Sequence, residues 1–107
     1  MKLAVAYNNS TGEVADSMKD AAHFRIYEIE DGEVYCAETV AAMGLENGED
    51  KVDMLSMLET DALICGAVDH ASRAALFDEG IELFALCCGN SDDLVDDFLG
   101  GRLDYET

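Results

Sequence analysis

No apolar run in this chain approaches the roughly 18 residues that cross a bilayer, and Met1-Lys2 leads straight into a strand pattern instead of a signal peptide. The expectation is a cytoplasmic chain with no membrane partner. Basic residues are also scarce. Six Lys and Arg stand against 24 Asp and Glu, a formal charge of −18, and a field of that sign repels phosphate backbones, so nucleic acid is not an expected partner. What remains is a solvated acidic surface or a docking role toward something basic. The cysteines at 36, 65, 87 and 88 lack the CxxC spacing of a zinc site, and vicinal Cys87-Cys88 could close a disulfide only in a strained geometry. They read as free thiols in a reducing compartment. Cys36 and Cys65 lie inside strand patterns and read as small buried hydrophobes.

What is present is a ladder of short apolar runs along 107 residues, a length for one domain, 1–107, with one core. A first strand over Lys2 to Tyr7 ends in the turn formers Asn8 to Gly12. Val14, Ala15 and Met18 then suggest a short helical turn. Alternation from His23 to Ile29, with Phe24 and Ile26 on one side and Tyr27 and Ile29 on the other, predicts a strand entering an Asp31-Gly32 hairpin. The return strand runs from Glu33 to about Val40, and 41–47 has no clear pattern. A helix follows over Glu49 to Glu59, with Met54 and Met57 read as core. Next come a buried strand at Ala62 to Cys65, a helix from His70 to Glu79 capped by Gly80, a strand from Ile81 to Cys88, and a last helix with Ser91 as N-cap and Asp92 and Asp93 in its first turn, ending at Gly100-Gly101.

Parallel strands gather the loops at their C-terminal ends along one rim, where ligands bind in α/β sheets. Three loops belong there: Asn8 to Gly12, Gly66 to His70 and Cys87 to Ser91. They hold Asn8, Asn9, Ser10, His70, Cys87 and Cys88, together with helix N-termini that offer N–H groups to anions. His70, Cys87 and Cys88 are the nitrogen and sulfur donors for a metal. The alternative for each is ordinary packing or solvent exposure. His23, just before a strand, reads as an ordinary edge position, with a place near the first loop as the alternative.

The Ser10-Thr11-Gly12 loop is similar to the phosphate loop of flavodoxins, which makes a flavin mononucleotide or nucleotide module one reading. Against it, only about ten residues separate the loop from a strand that turns back at Asp31-Gly32, where a crossover helix would be needed, and no tryptophan is present to flank a flavin. A nuclease reading fails because the first strand, Lys2 to Tyr7, carries no carboxylate for two-metal chemistry.

Several segments in order resemble the dinitrogenase iron-molybdenum cofactor biosynthesis family: Met1 to Ala6, Phe24 to Val34, Ala62 to Gly66, Ser72 to Leu76, Gly80 to Phe84 and Asp97 to Leu103. The resemblance implies an α/β, ribonuclease-H-like three-layer fold, with a five-stranded mixed sheet, a hairpin between its second and third strands, and helices on both faces. It also implies a non-catalytic carrier that binds an iron-sulfur or iron-molybdenum-sulfur cluster and works with protein partners in cofactor assembly. Asn8, Asn9, Ser10, Gly66, His70 and Cys88 are the cofactor-contacting positions under this reading. The chain departs from the family twice. Ser17 stands where relatives carry a histidine, and Ala67, Val68, Asp69 and His70 follow Gly66 where relatives carry further glycines. Those departures support a second reading, an interaction or regulatory domain of the same fold with no cluster. Oligomeric state is left open.

Overall fold

Asp31 and Gly32 both adopt left-handed backbone angles, φ 53° and 77°, as a two-residue hairpin turn matched to strand twist requires. In the computed structural model, which describes residues 1–42 and 44–106, this turn joins the two longest strands. Met43, within the unpatterned stretch 41–47, and Thr107 lie outside the described residues. The elements are β1 (Lys2–Asn8), β2 (Glu13–Val14), β3 (His23–Glu30), β4 (Glu33–Ala41), α1 (Gly48–Met57), β5 (Ala62–Ile64), α2 (His70–Asp78), β6 (Glu82–Phe84) and α3 (Ser91–Leu99).

The sheet order is β4-β3-β1-β5-β6, with β2 paired to β1 off this path. β3 runs antiparallel to both β1 and β4, whereas β1, β5 and β6 are parallel. The sheet therefore has six strands, not five. The extra one arises where a helical turn was expected. Val14 pairs with Tyr7, and the N–H groups of Val14, Ala15 and Met18 donate to Gly89, Ala6 and Ala67. Val14 enters one core and Met18 the other, so their spacing reflects an extended segment that serves both sides of the sheet.

β1 shows why the layers form. Leu3 and Val5 point to one face, Ala4 and Ala6 to the other, and all four are fully buried. On the alanine face Phe24, Ile26, Leu63 and Cys65 meet Val52 and Leu55 of α1 and Leu76 of α2. On the opposite face Tyr27, Ile29, Ala62, Ile64 and Phe84 meet Leu94 and Val95 of α3. Each fully buried Leu, Val or Phe side chain contributes about 1.5–3 kcal/mol.

Side-chain caps start the helices. Asn47, Asp69 and Asn90 accept from the N–H groups of Asp50, Ser72 and Asp92 at 2.8, 3.1 and 2.9 Å. The last strand is shorter than expected, because Leu86 takes φ 59° and turns the chain. Two burial expectations are also corrected. Cys36 is exposed, since β4 is an edge strand reaching beyond the helices. Met54 packs on the core, but Met57, at the end of α1, faces solvent.

Candidate functional site

The loop after β1 folds tightly on itself. The Asn8 side chain accepts from the Ser10 N–H at 3.0 Å, and the Asn8 carbonyl accepts from Gly12 at 2.9 Å. The chain then crosses the rim toward β5. Ala67 donates to the Asp16 carbonyl at 2.8 Å, and Met18 donates to Ala67 at 2.8 Å. Glycine is obligatory beneath this crossing. A Cβ on Gly66 would stand 2.4 Å from the Asp16 oxygen and 2.7 Å from that of Ala15. Gly66 thus keeps the crossing segment close to the sheet.

Between this segment and the end of β1 lies a cleft of about 460 Å³, lined by Asn8, Asn9, Ser10, Asp16, Ser17, Asp20 and His23 among others. His23 reaches it because the antiparallel register sets it opposite Tyr7. The outer wall is held from below by a buried lysine. Lys51 of α1 donates its ammonium to the carbonyls of Lys19 and Ala21, the latter at 2.8 Å. Burial pushes the Lys51 pKa down, and the Asp20 carboxylate pulls it partly back.

The thiols and His70 lie on other parts of the rim. Cys87 is buried, and its Sγ donates to the carbonyls of Phe84 and Asp104 at 3.5 Å. Burial, with the neighbouring Cys88 and Asp104, raises its thiol to about 11. Cys65 beneath it is raised to about 12, mainly by burial. Cys88 and His70 are exposed. None of these four lines the cleft. Among the described residues, no three His, Cys, Asp or Glu side chains form a metal-ligand group.

Asn8, Asn9 and Ser10 therefore share one cavity, while His70, Cys87 and Cys88 flank it separately and Gly66 underlies its wall. Sequence reasoning missed Asp16, Asp20 and the place of His23. The pairing of β1 with β3 was the available signal for His23, because a strand that begins opposite Tyr7 begins at the rim.

A second polar cluster closes the face beneath α3. The Tyr27 hydroxyl donates to Asp92 and accepts from the Ser91 hydroxyl, both at 2.7 Å. Burial dominates in raising its phenol to about 12. The cluster runs from buried Tyr27 and Ser91 to exposed Asp92 and anchors the helix that follows the Cys87-Cys88 loop.

Residues 1–101 match the family described as dinitrogenase iron-molybdenum cofactor. Among solved structures, PH0822 superposes with a TM-score of 0.91 at 19% identity, covering 99% of this chain and 95% of that one. The apo form of the orange protein from Desulfovibrio gigas gives 0.83 at 21%, with 99% and 92% covered. The mj0327 protein of Methanocaldococcus jannaschii gives 0.79 at 20%, with 100% and 95% covered. At these identities the likeness concerns the fold. No curated protein sequence matches the chain.

Proposed function

The chain belongs to the dinitrogenase iron-molybdenum cofactor family, and from that membership we propose that it is a non-catalytic carrier. Its cargo is an iron-sulfur or iron-molybdenum cluster, taken up at the rim and passed to protein partners in cofactor assembly. The sheet, with its β1-β3-β4 meander followed by β5 and β6, supports a ribonuclease-H-like description of the fold. The observation that carries the functional reading is the cleft itself. Ser17, which stands at the position where the resemblance places a ligand histidine, lines the same cavity as His23. Under this reading His23, at the start of β3, supplies the imidazole that the crossing segment lacks.

The donors do not fit a resident cluster, which takes about four thiolates or their equivalent. Cys87 is sealed beneath the tail, and Cys88 is the exposed rim thiol. A cargo cluster that keeps ligands of its own needs fewer protein donors, and a weak hold suits release. The alternative is a cluster-less interaction domain, favoured by one feature: Asp16 and Asp20 place carboxylates in the cleft, and these repel an anionic cluster.

Anaerobic reconstitution with ferrous iron and sulfide, or with tetrathiomolybdate, separates the two. The carrier develops visible charge-transfer absorption, reduced by His23→Ala, Cys88→Ser or His70→Ala. A protein that stays colourless under all these conditions overturns the carrier reading and leaves the interaction domain.

A further inference from the structure

The free side of β4 is treated unlike the other edge of the sheet. Edge strands expose unpaired N–H and C=O groups, and proteins blunt them with lysine, proline, bulges, short length or a covering segment. Beyond β6 the tail supplies a cover, since Ala85 and Glu106 exchange hydrogen bonds of 2.7 and 2.8 Å. Among the described residues β4 has no such cover and pairs only with β3. It is the longest described strand at 9 residues and contains neither lysine nor proline. Its register shift opposite Glu28 and Ile29 leaves Tyr35 as the extra residue, which twists the hairpin end and leaves Cys36 to Ala41 as a regular strand with one open side.

The side chains around this edge select the occupant. Glu30 lies directly opposite Glu33 across the ladder, and Glu28 lies opposite Cys36. Facing like charges destabilise a strand pair. The nearby cations are bonded to other groups, although Lys2 of β1 lies directly opposite Glu28. Arg25 donates to Thr39 and lies over the rings of Tyr7 and Tyr27, while Lys2 donates to the Leu58 carbonyl. Among the described residues the ion pair formed is Arg102 with Asp97, far along the chain. The Tyr35 phenol is raised, first by the charge of Glu28. On the α1 face, Lys2, Ile26, Glu28, Cys36 and Glu38 line a hollow of about 90 Å³, small enough for the end of one partner side chain.

We propose that the open edge of β4, from Cys36 to Ala41, is a docking site for a partner protein that presents an extended basic segment, which joins the sheet as a further strand. Main-chain bonds supply the hold, and Glu28, Glu33 and Glu38 supply the selectivity for lysine or arginine at alternate positions. A second copy of this chain is a poor occupant, because it brings the same glutamates to the same edge.

The test uses short capped peptides and the intact protein without added metal. A peptide of alternating lysine and valine binds saturably, slows amide exchange along β4 and weakens as salt is raised. Its acidic counterpart does not bind. The Glu33→Gln, Glu38→Gln double variant lowers affinity about fivefold, the effect of two exposed ion pairs. N-methylation of alternate peptide residues keeps the charge but removes main-chain donors, and abolishes binding. Equal binding of the N-methylated or the acidic peptide overturns the proposal. So does binding that leaves β4 exchange unchanged, or a dimer of the protein that already protects β4.

Discussion

At the β6 edge the tail turns back, Tyr105 meets Phe84 edge to face at 4.6 Å between ring centroids, and Asp104 lies over the Cys87 thiol; at the β4 edge, residues 33–38 are exposed on both faces. The cysteines record this difference. Cys65 and Cys87 are buried in the parallel half, and Cys36 is open to solvent in the antiparallel half. The parallel strands β5 and β6 are 3 residues each and hold only because helices and tail enclose them. Of the hairpin strands, β3 belongs to both cores and β4 stands outside them on its ladder with β3. One half is built for enclosure and the other for presentation, and mutations should divide along the same line.

The sharpest break in that contrast is Gly66→Ala in the enclosed half. Its Cβ meets backbone oxygens that cannot rotate away, so the crossing segment must lift, at a cost of about 3 kcal/mol or more. Chemical denaturation measures the loss, and a change under 1 kcal/mol would mean that the wall above Gly66 is not fixed.

Thiol labelling under native conditions at pH 8 comes next. Cys88 reacts first and Cys36 more slowly, its thiol raised by partial desolvation and by Glu28. Cys87 and Cys65 trail by about a hundredfold or more, since the thiolate is the reactive species and both are held protonated. Removal of residues 102–107 accelerates Cys87 and leaves Cys36 unchanged. Peptide mapping of the labelled protein gives the order.

Tyr27→Phe tests the join between the halves, because a β3 residue bonds to α3. It leaves Ser91 and Asp92 without their partner and lowers stability by about 1–2 kcal/mol. A smaller effect follows at Asp69, whose carboxyl is held below its ordinary range first by the Ser72 hydroxyl, 2.5 Å away. A depressed carboxyl contributes stability above the ordinary aspartate range and loses it as pH falls through the depressed value. Asp69→Ala therefore costs about 1 kcal/mol at neutral pH, and its gap from the parent narrows in acid; a gap that stays constant to low pH would rule out the ionised cap. Smallest is Val34→Thr on β4, expected within about 0.5 kcal/mol. A larger loss would show that the hairpin is packed against something.

Much of this architecture was legible in the residues. Alternation on β1 and β3, the Asp31-Gly32 turn and Gly80 beyond α2 are local signals, each with its own geometry. The family resemblance is consistent with the match over residues 1–101. What could not be read locally depends on contacts between distant segments. Val14, Ala15 and Met18 look helical until Gly89, Ala6 and Ala67 respectively claim their N–H groups. Cys36 looks buried until β4 is known to be an edge. His23 joins the cleft only through its register with Tyr7. The start of α3 was placed one residue late, since Asn90 does the capping and Ser91 is buried beneath Tyr27.

Lys51 has a mechanical consequence. The cleft wall from Ala15 to Ala22 has little regular structure of its own, and its far end is moored to α1 through the Lys51 ammonium and to the end of β4 through Ala42, whose N–H donates to the Ala22 carbonyl. A pull on α1 is therefore transmitted to the mouth of the cleft some thirty residues earlier in the chain. The wall is a span pinned at its middle by Ala67 and at its far end by α1, so a change at α1 bears first on the short unpinned stretch between Met18 and Ala21.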